Sequence, residues 1–242
     1  MKIKSAVRYN MSILIKQIAW FVFGITAVYG IVSFIFYLNN VEDGVALTLD
    51  MSVVGFLFVL GLMCYIENLK TFLQNGLSRK TLFVSLLLCF LGVSMVMAVY
   101  VSIPAVLNGK IGYVNSLLYE VYKGFMDGIS MPIRWFYTIL CYFMLLAFSI
   151  LAGIFFAALF SRLSKTMKIF LPVGFGLLIV ILFWLNPVFD GAIGRGVIKF
   201  FMTISGMNAG GNINYLTAFF AAGAAVWATL IWLIMRRATL KE

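Results

Sequence analysis

No histidine occurs in this 242-residue chain, and only 11% of its residues are charged. Without histidine, an H-E-x-x-H metalloprotease and a serine–histidine pair are excluded. No serine stands in a G-x-S-x-G elbow, and no G-x-x-x-x-G-K-[ST] loop is present to cradle nucleotide phosphates. Asp50 and Asp190 stand at the ends of apolar runs, so an aspartyl dyad at mid-depth is not expected. The chain is therefore not expected to be an enzyme. Its three cysteines, Cys64, Cys89 and Cys141, all fall inside apolar runs and read as buried small hydrophobes, neither disulfide-bonded nor metal-binding.

What is abundant is apolar surface. Hydrophobic residues make up 64% of the chain, and the mean hydropathy is +1.07. A soluble domain is about half apolar and a quarter charged. Runs near 20 residues, the length that crosses a hydrocarbon core of about 30 Å as a helix, recur at about 17–38, 51–66, 82–107, 133–160, 169–189 and 215–235. The fold class expected is an all-α integral membrane protein, a single transmembrane domain with six transmembrane helices. The third and fourth runs exceed the need and are expected to tilt or to project beyond the membrane. The first is too long for a signal-peptide core, and no A-x-A-like site follows it.

Cations set the orientation. Of the 18 Lys and Arg, 13 fall at the two chain ends and in the segments after the second and fourth runs; five fall in the other connections. Positive charge marks the cytoplasmic side, so both termini and the 67–81 segment are expected inside. Six of the eight acids lie on the other side. The net charge of +10 thus reports topology and does not argue for nucleic acid as a partner.

Three segments outside the runs carry helical periodicity. Ile3, Val7, Met11, Leu14 and Ile18 repeat at helical spacing opposite Lys4, Arg8, Ser12 and Lys16. That pattern predicts an amphipathic interfacial helix over 1–16, the alternative being a plain continuation of the first span. Ile111, Val114, Leu118, Val121 and Phe125 form a stripe between spans three and four. Ile193, Val197, Phe200 and Ile204 do so between spans five and six, after Asn186-Pro187 ends the preceding helix. Short outer amphipathic or re-entrant helices are expected there, either as interfacial anchors or as a substrate gate. Rows of small residues, Ser149–Gly153–Ala157 and Ala218–Ala222 with Ala221–Ala225, favour close helix packing without naming partners. Trp20, Trp135, Trp184 and Trp232 lie near span ends, as an aromatic belt would. The span interiors carry no charge, so neither an ion relay nor a substrate-lining residue stands out.

One polar stretch, ENLKTFLQNGLSRKTLF at 67–83, interrupts this pattern. A helix over 67–74 places Leu69, Phe72 and Leu73 on one face, with Asn68, Lys70, Thr71 and Gln74 elsewhere. Asn75-Gly76 suits the left-handed turn that ends a helix. Ser78 suits the N-cap of the next helix, and Arg79 and Lys80 suit phosphate level. A foot presenting apolar residues in this way fits a partner's groove.

The pattern E67-x4-F72-L73-x2-G76-x-S78-R79-x3-F83, between spans two and three of six, resembles the membrane subunits of bacterial ABC exporters of small drugs, antimicrobial peptides, lipids and polysaccharides. The resemblance implies a coupling segment docked in a separate ABC ATP-binding subunit, expected in two copies. It further implies a second permease chain, identical or homologous, and residence in the cytoplasmic membrane of a bacterium. Phe72 and Leu73 would fill the ATPase cleft, and Gln74 and Asn75 would bond its rim. Gly76 would allow the turn, and Arg79 and Lys80 would meet acidic partner residues or lipid phosphate. Glu67 would pair with a basic residue or merely end span two. ATP and Mg would be bound by the partner, with no cofactor in this chain. The apolar cavity favours an amphipathic or lipid-like cargo, with peptides first. The alternatives are an ion-coupled secondary carrier and a non-transporting membrane scaffold or sensor.

Overall fold

The computed structural model describes residues 3–39, 47–74, 78–106, 114–164, 192–207 and 211–236, with scattered positions between 166 and 184. Five long helices and three short ones carry the described chain: α1 (Ile3–Leu38), α2 (Leu49–Gln74), α3 (Arg79–Val106), α4 (Leu117–Val121), α5 (Lys123–Asp127), α6 (Met131–Arg162), α7 (Ala192–Ile204) and α8 (Ile213–Arg236). Two-residue strands, β1 (Leu47–Thr48) and β2 (Val114–Asn115), pair in parallel and bring the chain before α2 beside the chain before α4.

Four helices, those beginning at Lys4, Arg79, Met131 and Ile213, are long and apolar enough to cross a membrane, and Leu49–Tyr65 adds a shorter apolar stretch. At about 1.5 Å per residue each of the four exceeds a hydrocarbon core of roughly 30 Å. The described chain is thus predominantly helical and has the character of a membrane protein. Five of the six expected runs lie on helices; most of 169–189 is outside the described residues.

α6 is the hub, packing against α2, α3 and α8. Its row Ser149–Gly153–Ala157 is buried and serves the α2 contact. Ser149 Oγ donates to Val54 O at 2.8 Å, and a Cβ on Gly153 would run into Phe58 O. Gly61 of α2 answers it, since a Cβ there would run into Ile150 O. Two backbones in this contact leave no room for any side chain, which is how small residues hold apolar helices together where water supplies no driving force. On α8 the packing runs through Gly223, where a Cβ would run into the Phe148 ring, and Trp227, whose ring lies tilted against Phe155 with centroids 4.6 Å apart. Of the rows expected on α8, Ala218, Ala222 and Ala225 are exposed and Ala221 is partly buried, while Ala224 and Ala228 pack against the core.

Helix directions follow from these pairs. Val54 faces Ser149 and Phe58 faces Gly153, so α2 and α6 run parallel. Val7 O lies 3.6 Å from Cys89 Sγ and Thr26 Oγ1 lies 2.7 Å from Tyr100 Oη, so α1 and α3 also run parallel.

Two expectations need correction. The N-terminal segment is not a separate interfacial helix: Ile3–Leu38 is one uninterrupted helix whose first half packs on α3. No Gly or Pro occurs between residues 3 and 23 to break it. Its buried line is Ala6, Asn10, Leu14 and Ile18, while Val7 and Met11 are only partly covered. Between α3 and α6, the expected stripe holds at Leu118 and, partly buried, at Phe125, but not at Val121; Ile111 lies outside the described residues. The helix breaks at Tyr122; Leu118, Tyr122 and Met126 are buried and Val121 is 39% exposed. The amphipathic helix expected near 193–204 is present as α7, with Val197 and Phe200 exposed. Gly206, at φ 73°, takes the chain out of α7, in a conformation that suits glycine.

Candidate functional site

The segment singled out by sequence lies at the α2–α3 turn. Glu67, Asn68, Leu69, Phe72, Leu73 and Gln74 form the last turns of α2, which continues unbroken from its apolar part. Asn75 and Gly76 lie outside the described residues. Ser78 caps α3: its Oγ accepts from Thr81 N–H at 3.2 Å and its carbonyl accepts from Leu82 N–H at 3.0 Å. This satisfies one of the donors that a helix start leaves open. Lys80 is exposed.

Arg79 does something the sequence did not announce. Its Nη1 donates at 2.8 Å to the carbonyl of Arg236, the last residue of α8. Arg162, at the end of α6, donates to Ile234 O on the same final turn. Two guanidinium groups thus occupy carbonyls that a helix end leaves unpaired, at the negative pole of its dipole. The start of α3, the end of α6 and the end of α8 are tied together beside the turn. With five donors each, both arginines keep hydrogen-bonding capacity for a further partner.

A second polar centre lies at the other end of the bundle. Asp50, in the first turn of α2, is 4% exposed. Its Oδ2 accepts from Tyr142 Oη at 2.7 Å, from Leu117 N–H at 2.8 Å and from Ser116 Oγ at 3.4 Å. Ser116 and Tyr142 hydroxyls are 2.5 Å apart, and Ser116 also caps α4 by accepting from Tyr119 N–H. One carboxylate oxygen therefore joins α2, α4 and α6. Nearby, Tyr122 Oη donates to Ser205 O, tying the α4–α5 break to the end of α7, and Tyr119 Oη donates to Asp127 at 2.8 Å. Desolvation, then the bond to Asp127 and its charge, hold the Tyr119 hydroxyl above its ordinary range, so it remains a donor.

Sequence reading counted Asp50 only as an outer acid. One signal was available: no Lys or Arg occurs between Lys16 and Lys70, so an acid abutting an apolar run has no cation near it in the chain. Its actual partners are 66 to 92 residues away and could not be read from spacing. Among the described residues no group of three or more His, Cys, Asp or Glu is placed to hold a metal. The three cysteines are buried, and none forms a disulfide.

No protein-family model, no curated protein and no solved structure matches the chain.

Proposed function

We propose that this chain is the transmembrane subunit of an ATP-driven exporter of the ABC class, moving an amphipathic or lipid-like cargo across a bacterial cytoplasmic membrane. In this reading six helices cross the membrane with both termini inside, and two copies, or this chain and a homologous one, enclose the path. A separate ATPase, binding ATP and Mg, docks on residues 67–80. The observation that carries the reading is the α2–α3 turn: a polar helical extension ending in a capped restart of the chain. The Arg79 and Arg162 ties add a mechanical rationale, because a push on the turn is passed to the ends of α6 and α8 as well as to α3. Rigid coupling of this kind is what a docking foot requires to convert partner motion into helix motion.

Capture of the tagged chain from its native host in mild detergent tests the reading directly. A near-stoichiometric partner bearing G-x-x-x-x-G-K-[ST] is the expected result. Recovery of the chain alone, under conditions that keep other complexes intact, counts against it. In the captured complex, Phe72→Asp combined with Leu73→Asp is expected to reduce ATPase recovery by more than ~10-fold, since buried apolar anchors dominate such interfaces. Unchanged recovery rejects the docking assignment.

A further inference from the structure

The Asp50 centre is not used by the export reading, and it is the most fully built polar site among the described residues. Asp50, Ser116 and Tyr142 are 4%, 1% and 1% exposed. Tyr142, Leu117 and Ser116 donate to Oδ2, the Leu118 N–H also acts on the carboxylate, and Oδ1 is buried without a well-formed hydrogen bond of its own. Among the described residues no Lys or Arg acts on this carboxylate. The described titratable groups around it are Tyr142 in contact from α6, with Cys141 adjacent, and Tyr119 on α4. On the α1 side stands Tyr29, bonded to Ser52. None of these is basic. A buried carboxylate without a basic neighbour carries an unbalanced charge unless something positive, a proton included, balances it.

We propose that Asp50 is a binding site for a monovalent cation, a proton or an alkali ion, taken up at Oδ1, and that occupancy sets how firmly α4 is held on α2 and α6. The geometry gives the two oxygens different tasks. Oδ2 is the structural anchor, holding the first N–H of α4 and the Tyr142 hydroxyl. Oδ1 collects the negative charge that those donors do not neutralise. With a cation at Oδ1 the site is neutral and α4 stays seated. Without one, a bare charge draws in water and loosens the contact. The site lies at the opposite end from the α2–α3 turn, so this proposal stands or falls independently of ATPase docking.

The test uses the full chain purified in detergent, read as the apparent unfolding midpoint at a fixed scan rate. In one arm sodium chloride replaces choline chloride at constant pH. In the other the pH falls from about 8 to about 5 at constant salt. Binding to the folded state raises the midpoint by mass action, and a rise of at least ~5 °C is expected in one arm. A sodium response at constant pH identifies an alkali ion, and a response to pH alone identifies a proton. Asp50→Asn, which keeps an acceptor but no charge, is expected to abolish the response, whereas Ser78→Ala, at the opposite end of the bundle, retains it. If Asp50→Asn yields no folded protein, Asp50→Glu replaces it and must shift the midpoint of the titration. No response of the wild-type chain in either arm, a response that survives Asp50→Asn, or an unshifted Asp50→Glu titration overturns the proposal.

Discussion

At the end of the bundle that carries the α2–α3 turn, exposed arginines reach across to helix ends and keep donors to spare. At the opposite end, a carboxylate, a phenol and a hydroxyl are withdrawn together from solvent. The first arrangement is open. Each bond there replaces one that water could make, so its net contribution to stability is small. The second is closed, and each group there has lost water and depends on its protein partners. The contrast separates a solvent-facing surface with spare donors from a joint whose parts cannot be removed singly.

Substitutions at the two ends should therefore differ in size. Asp50→Ala removes the shared acceptor of Tyr142, Ser116 and the Leu117 N–H, and is expected to cost about 2–3 kcal/mol in folding stability, because buried donors are left unpaired. Asp50→Asn should cost clearly less, and equal losses in chemical unfolding would mean that a retained acceptor oxygen is not enough to hold the joint. Between the ends, Gly153→Val forces the α2 and α6 backbones apart, and a loss of about 1–3 kcal/mol is expected from overpacking. Wild-type stability in that variant would remove the close crossing from the account of what holds α2 on α6. At the turn, Ser78→Ala should cost about 1 kcal/mol, the usual value of an N-cap. An effect as large as that of Asp50→Ala would erase the distinction between open and closed ends.

Much of the helix layout was legible in the chain. The apolar runs at 17–38, 51–66, 82–107, 133–160 and 215–235 all lie on helices, and Ser78 caps α3 as its place before Arg79 predicts. The row Ser149–Gly153–Ala157 marked a close contact and left the partner open; that partner is α2. The failures were failures of phase and continuity. Val121 was placed on an apolar stripe with Leu118, but the buried line steps by four from Leu118 to Tyr122 and Met126, which leaves Val121 exposed. Residues 1–16 were read as a separate surface helix because cations and apolar residues alternate there with helical period. That pattern serves a helix lying on a membrane and one packed against a neighbour equally well.

Of the candidate coupling residues, the helical path of 67–74 and the cap at Ser78 could be foreseen, while the destination of Arg79 could not. Its acceptor is the main-chain carbonyl of Arg236, which carries no residue-specific signature. Local properties of the chain therefore determined helix content, membrane character and the position of the polar turn, because hydropathy and period act over a few turns. Only the tertiary structure decided that Asp50 meets Tyr142 and Ser116, that Arg79 and Arg162 meet the end of α8, and that Gly61 answers Gly153. Those contacts join residues 66 to 157 positions apart in sequence. Their geometry is set by which faces pack, and packing is a property of the whole bundle.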